Sequence, residues 1–356
     1  MKKKTKGIKN KLVVAGIVVA MIILLVIFVP RWLFPPYEPP TGTGKYKVAM
    51  ETFTWEDKNR KETFSDTVEN RALTVRFLYP EEKGNYPLVV FSHGACGVID
   101  SNYSTCVELA SKGYVVASVA HPYHAMFVED EKGKITYIDI NFMKRIYGYS
   151  STEKQIYEFS LEWMELRTAD INFVLDTILQ KAQEDEGFFS FIDVEKIGLF
   201  GHSMGGATVV QVGRDRDDID AVIDLEGMMA GEYVGFDDEK GYEIYNETPY
   251  PVPLLDINSK AVRDQIAKQE DEIPGWEYVN DYVGKNALNY KTVIFYDAGH
   301  LNFTDLPMVS PVLAKLLGVG KVDARECITN VNCTIGTFFD YYLKNEGTID
   351  DIKNEY

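Results

Sequence analysis

A serine that attacks an acyl carbon must stand clear of its own backbone on a sharp turn. Glycines two places before and two places after it remove the side chains that would collide there. The run Gly201-His202-Ser203-Met204-Gly205-Gly206 has this pattern. It follows the apolar stretch Lys196–Phe200 and precedes the helix-prone Ala207–Val212. Ser203 is therefore the expected nucleophile, with Gly201 and Gly205 as the clearance glycines. The helix behind it would aim its N-terminal amides and positive dipole end at the place where negative charge develops. The rival reading is an ordinary glycine-rich turn. The strand before, the helix after and the adjacent His-Ser pair favour the nucleophile.

The base follows by elimination among five histidines. A nucleophile on such a strand-to-helix turn is followed along the chain by the acid and then by the histidine. His93, His121 and His124 come too early and His202 adjoins the serine, which leaves His300. It lies in Asp297-Ala298-Gly299-His300-Leu301-Asn302-Phe303, directly after the apolar stretch Thr292–Tyr296. The acid must lie between 203 and 300 at a strand end. Ala221-Val222-Ile223-Asp224-Leu225-Glu226-Gly227 offers two carboxylates two apart, hence on one strand face. Glu226, at the tip before Gly227, is better placed to reach outward. Asp224, deeper in the strand, is the alternative, and Asp256 on the following strand is a third. The carboxylate holds the imidazole tautomer and stabilises imidazolium, which Glu does as well as Asp. The oxyanion needs two backbone donors. The Met204 amide is one, and Ala95 in the loop Phe91-Ser92-His93-Gly94-Ala95-Cys96-Gly97 is expected to be the other.

These groups need a scaffold. Continuous apolar runs bounded by turn residues predict buried strands at Leu73–Tyr79, Leu88–Ser92, Tyr114–Ala120, Lys196–Phe200, Ala221–Leu225, Leu254–Asn258 and Thr292–Tyr296. Between several of them lie helical patterns. The clearest is Thr152–Leu179, where Ile156, Phe159, Trp163, Leu166, Phe173, Val174 and Ile178 recur at three- and four-residue spacing. On it Arg167 and Asp170 sit three apart, a spacing that suits an ion pair with a structural rather than a catalytic part. The alternation predicts an α/β fold: a mostly parallel central sheet with helices on both faces and ligands bound beyond the carboxyl ends of its strands.

The chain has 356 residues, 46% of them apolar and 13% aromatic, enough to bury one large core. Residues 1–36 hold seven Lys/Arg and no acids; the remainder holds 30 bases against 54 acids, a net −24. A surface so acidic repels phosphate backbones, so nucleic acid is not an expected partner. Residues 1–11 read as a basic cytoplasmic tail and 12–30 as a transmembrane signal-anchor helix. Residues 31–45, with Pro35-Pro36-Tyr37-Glu38-Pro39-Pro40, read as a stiff spacer. Residues 46–356 form the expected catalytic domain, placed outside the membrane by the lysines on the near side of the anchor. The competing reading of the first segment is a cleaved signal peptide. Cys96, Cys106, Cys327 and Cys333 are compatible with an oxidising exterior. Cys327 and Cys333 would suit a short staple, although sequence alone sets no pairing. With no CxxC and no Cys/His cluster, no metal is expected.

Phe91-Ser92-His93-Gly94, Leu109-Ala110-Ser111-Lys112-Gly113-Tyr114-Val115-Val116-Ala117, Gly201-His202-Ser203-Met204-Gly205-Gly206-Ala207-Thr208-Val209, Asp256-Ile257-Asn258-Ser259 and Gly299-His300-Leu301-Asn302-Phe303-Thr304-Asp305 together resemble the secreted type of platelet-activating factor acetylhydrolase and its bacterial relatives. The resemblance spans most of residues 73–306, in order. It implies an α/β-hydrolase fold and a calcium-independent lipase that releases short or oxidised acyl chains from the sn-2 position of phospholipids. It places the nucleophile on Ser203, the base on His300 and the oxyanion amides on Ala95 and Met204. The family's acid is an aspartate in a Leu-Asp pair, which falls here on Glu226 in Leu225-Glu226-Gly227. That departure keeps Asp224 open as the alternative. The long, acidic, tyrosine-rich segment Met228–Pro251 departs further.

The expected activity is cleavage of a carboxylic ester through an acyl-serine, with no cofactor. Short-chain phospholipids, other small lipid esters, non-lipid esters and polyesters are all substrate candidates. Met126, Phe127, Phe142 and Met143 are candidates for a lid or lipid-facing rim. A peptidase on the same fold and a catalytically inactive lipid-binding module are the rival readings. The complete serine, histidine and carboxylate set argues against the second.

Overall fold

The computed structural model describes residues 14, 16–19, 21–65, 68–148 and 151–356. Every apolar run expected to be a strand is one. The strands are β1 (Val48–Lys61), β2 (Asn70–Pro80), β3 (Tyr86–Ser92), β4 (Val115–Val119), β5 (Phe127–Glu129), β6 (Ile135–Tyr137), β7 (Ile192–His202), β8 (Ala221–Leu225), β9 (Tyr233–Asp237), β10 (Tyr242–Tyr245), β11 (Leu254–Ser259) and β12 (Tyr290–Phe295). The main helices are α1 (Tyr103–Ser111), α2 (Ile140–Tyr147), α3 (Glu153–Gln183), α4 (Met204–Asp215), α5 (Lys260–Glu272), α6 (Val279–Asn286) and α7 (Ala324–Lys344).

Eight strands form one sheet in the order β1-β2-β4-β3-β7-β8-β11-β12. The β1/β2 and β2/β4 pairs are antiparallel and the rest are parallel. The strands read as unbroken apolar runs because both faces of the sheet are covered. Leu88 and Val90 of β3, Ile197 and Leu199 of β7 and Val222 of β8 join one core with Trp163, Ile171 and Val174 of α3 and Val209 of α4. Their neighbours Val89, Phe91, Phe200 and Ile223 join the other, with Val107 of α1 and Val331, Ile335 and Phe339 of α7. Each such side chain stabilises the fold by about 1.5–3 kcal/mol. Helix α3 begins with a capping box, Thr152 accepting from the Gln155 amide while the Gln155 side chain accepts from the Thr152 amide.

Several expectations need correction. The strand β1 carries no apolar run; it is an edge strand, solvated along part of its length, and its polar alternation hides it. The hairpins β5–β6 and β9–β10 are too short to announce themselves. All four cysteines are free, and Cys327 and Cys333 lie on the single helix α7, six residues or about 9 Å of rise apart, too far for a staple. Arg167 and Asp170 do not pair with each other and are not solvated: both are fully buried and engaged elsewhere. Phe142 is buried against the His124 ring at 3.8 Å, whereas Met126 and Phe127 are exposed. The expected spacer packs on the domain at its far end, where Thr43 bonds Glu108 and the Gly44 amide donates to Ser111 Oγ at 2.9 Å. Gly16–Leu33 is a helix long and apolar enough to cross a membrane, with none of it buried. The basic tail 1–11 lies outside the described residues.

Candidate active site

The strand β7 ends at His202 and helix α4 starts at Met204, so Ser203 alone makes the turn between them. It holds φ 55° and ψ −124°, a conformation that non-glycine residues rarely adopt. A Cβ on Gly201 would run into the Gly205 carbonyl, and one on Gly205 into the Ser92 carbonyl. Both glycines are thus required by close approach. The Ser203 amide donates to Leu225 O at 2.9 Å, which ties the turn to the carboxyl end of β8.

That end of β8 carries Glu226, also at positive φ (55°). Its amide donates to Ile257 O at 2.8 Å, and its Oε1 accepts from the Ser259 amide at 2.6 Å, so the next strand holds it from two sides. Its Oε2 accepts from His300 Nδ1 at 2.7 Å. His300 opens a short helical turn after β12, and Asn302 braces it by accepting from the Gly299 amide at 2.9 Å and the Gly320 amide at 2.7 Å. His202 Nε2 donates to the His300 carbonyl at 3.0 Å, with ring centroids 4.5 Å apart. The imidazole therefore stands against the residue that precedes the serine. Burial, then the neighbouring His300, keeps His202 neutral.

Asp224 faces the other way. It lies fully buried under the first turn of α4, where its Oδ1 would collide with a Cβ on Gly206, and it accepts from the Gly227 amide at 2.8 Å and Asn280 Nδ2 at 3.3 Å. Burial and the nearby Asp256 push its carboxyl well above the usual range. Asp256 accepts from Tyr290 Oη at 2.8 Å, and burial raises it to about 6. The hydrogen bonds of these two carboxylates go to Gly227, Asn280 and Tyr290 and not to His300. The sequence had not singled out Asn280, which sits between them.

The loop after β3 crosses directly beside the turn: a Cβ on Gly94 would lie 3.1 Å from Ser203 Cβ and 2.9 Å from His202 Nδ1. The Cys96 amide is engaged by His124 O at 3.0 Å and the Gly97 amide by Gly94 O at 3.1 Å. Ala95 lies between Gly94 and Cys96 in this loop. As the first residue of α4, Met204 contributes one of the amides that a helix start leaves unpaired.

Behind this loop lies a buried charged cluster that spacing did not reveal. Asp170 accepts from Arg71 through two bonds of 2.7 Å, from Arg60 at 2.9 Å and from His121 Nδ1 at 2.9 Å. Burial alone would raise its carboxyl, but the Arg71 guanidinium and the His121 ring together outweigh burial and hold it well below the usual range. Burial, and then the Arg167 charge, lowers His121 to about 4. Among the described residues no group of three or more His, Cys, Asp or Glu is placed to hold a metal ion. A cavity of about 830 Å³ lies under α2 and α3, lined by Arg60, Phe64, Phe142 and Trp163 and not by Ser203 or His300.

Residues 60–352 match the model of the family described as platelet-activating factor acetylhydrolase, isoform II. The platelet-activating factor acetylhydrolase of Gallus gallus is 26% identical over 76% of this chain and 65% of its own length, and that of Cavia porcellus 25% identical over 74% and 59%. That of Bos taurus is 30% identical over 49% of this chain and 40% of its own length. The chain thus spans less than two thirds of the length of these relatives. Among solved structures, a ferulic acid esterase from Streptomyces cinnamoneus superimposes with a TM-score of 0.66 at 21% identity, covering 86% of this chain and 93% of the other. That likeness shows the α/β-hydrolase fold. Because the family match takes in the strained serine turn, the carboxylate at the end of β8 and the histidine it holds, the chain belongs to the platelet-activating factor acetylhydrolase, isoform II family.

Proposed function

We propose that the chain is a serine esterase acting on lipid esters with a short acyl group, with Ser203 as nucleophile, His300 as base and Glu226 as the orienting acid. The observation that carries this reading is the 2.7 Å contact between His300 Nδ1 and Glu226 Oε2 beside the strained turn at Ser203. With its Nδ1–H hydrogen-bonded to the carboxylate, the neutral imidazole presents a basic Nε2. His300 takes the Ser203 Oγ proton as the oxygen bonds to the ester carbonyl carbon, and the Ala95 and Met204 amides receive the oxyanion. The C–O bond to the alcohol then breaks as His300 returns the proton to the leaving oxygen. Water, deprotonated by His300, releases the carboxylic acid and regenerates Ser203.

Family membership supports short sn-2 acyl phospholipids as the substrate class. The N-terminal apolar helix supports a membrane-anchored domain over residues 46–356 with its catalytic part outside the cytoplasm. Fluorophosphonate labelling of the full chain is expected to be lost in Ser203→Ala, and label retained in that variant overturns the assignment. Hydrolysis of p-nitrophenyl esters is expected to fall steeply from acetyl to palmitoyl. A preference for palmitoyl sinks the short-chain reading.

A further inference from the structure

The Ala95 amide is only as good an oxyanion donor as its peptide plane is fixed. That N–H belongs to the same planar unit as the Gly94 carbonyl and points the opposite way. Whatever grips the Gly94 oxygen therefore aims the Ala95 hydrogen. Three donors converge there: His93 Nδ1 at 2.7 Å, the Gly97 amide at 3.1 Å and Arg167 Nη2 at 3.4 Å. Arg167 also donates from Nη1 to the His93 carbonyl at 2.6 Å and from Nε to His124 Nδ1 at 3.3 Å. The His121 amide donates to His93 Nε2 at 3.2 Å, so the His93 proton is on Nδ1, facing Gly94. Arg167, His93 and His124 are all buried, and Asp170 is occupied by Arg60, Arg71 and His121. The guanidinium is thus spent on two backbone carbonyls of the loop and on the His124 ring, and among the described residues no carboxylate is bonded to it.

We infer that Arg167 and His93 are positioning residues for the oxyanion hole: together they lock the Gly94–Ala95 peptide so that the Ala95 amide meets the developing oxyanion. The cation beside the Gly94 oxygen also polarises that peptide, making its N–H a stronger donor. This deepens the proposed function and rests on Ala95 being a donor. A buried cation solvates poorly, and burial lowers Arg167 to about 9, still charged at neutral pH. Retaining it where an apolar side chain would pack is consistent with a part in function.

The test uses the full-length chain in detergent. Arg167→Met is expected to lower kcat on p-nitrophenyl acetate by ~10²-fold, the scale of one lost oxyanion donor, with KM within about threefold. Affinity for a trifluoromethyl ketone, whose serine adduct carries the oxyanion, falls by the same factor, because the lost contact exists only in the transition state. Arg167→Lys keeps the charge without the fork and lies between. Where Arg167→Met does not fold, His93 decides: His93→Asn, whose amide nitrogen stands where Nδ1 stood, retains at least about ten times the kcat of His93→Leu. A trifluoromethyl ketone affinity that stays constant while kcat drops, a loss confined to KM, or equal rates for His93→Asn and His93→Leu overturns the inference. Ser203→Ala separates the failures: if it keeps its label, the site reading itself is wrong, whereas a label lost there with Arg167→Met at full kcat removes only the positioning role.

Discussion

Two buried clusters, one around Asp170 and one around Asp224 and Asp256, are treated by the chain in opposite ways. Asp170 and Asp224 are both wholly removed from solvent. Asp170 is surrounded by Arg60, Arg71 and His121 and is held ionised. Asp224 has amide donors and the acid Asp256 for company, and is pushed toward the neutral form. Burial penalises charge in both places; the partners decide the outcome. Glu226, two residues from Asp224, belongs to neither group. One oxygen is held by the Ser259 amide and the other faces His300, so it stays at the rim where an imidazolium would need it.

The sharpest way to separate these carboxylates is by rate. Glu226→Gln is expected to cut kcat by ~10⁴-fold, as loss of the tautomer-holding acid does elsewhere, and Asp224→Asn by about tenfold or less. Hydrolysis of p-nitrophenyl acetate measures both, and equal losses erase the distinction. Next comes stability. Asp170→Asn leaves the buried Arg71 guanidinium with Glu62 as its remaining carboxylate partner and is expected to lower the unfolding free energy by about 3–5 kcal/mol in urea titration. A loss under about 1 kcal/mol would mean the cluster adds nothing beyond packing.

The smallest effect is in pH. Asp256 titrates near 6 when folded and near 4 when unfolded, so between those values the folded state holds a proton that the unfolded chain has released. Stability therefore falls as pH rises through that window, by up to about 1.4 kcal/mol per unit. Asp170 has the reverse sign: its depressed carboxyl contributes stability above about pH 4 that is lost on further acidification. Asp256→Asn should make the slope between pH 4 and 6 shallower without abolishing it, because burial also raises Asp224 and Asp305, and should leave the acid limb intact. A slope unchanged in Asp256→Asn would place the titration on another group.

Much of the site was legible because its signals are local. The glycines around Ser203 exclude side chains within a few residues, and His300 follows from chain order. The choice between Glu226 and Asp224 was not local. Strand parity puts both on one face, and only the backbone reversal at Glu226, with Ser259 and His300 arriving from later strands, sends one outward and leaves the other under α4. Arg167 and Asp170 misled for a related reason. Their three-residue spacing permits a pair on an isolated helix, but each found stronger partners from strands and loops more than 70 residues away.

What the sequence determined alone was whatever depends on neighbours along the chain: the apolar runs that become two-sided strands, the capped start of α3, the serine turn, and an apolar N-terminal helix. Tertiary structure decided what depends on a local field: which acid meets the imidazole, which carboxyls stay charged, and where a lone guanidinium is spent. Those outcomes turn on differences of a few kcal/mol between burial and pairing, and the groups that supply them converge only once the sheet is assembled.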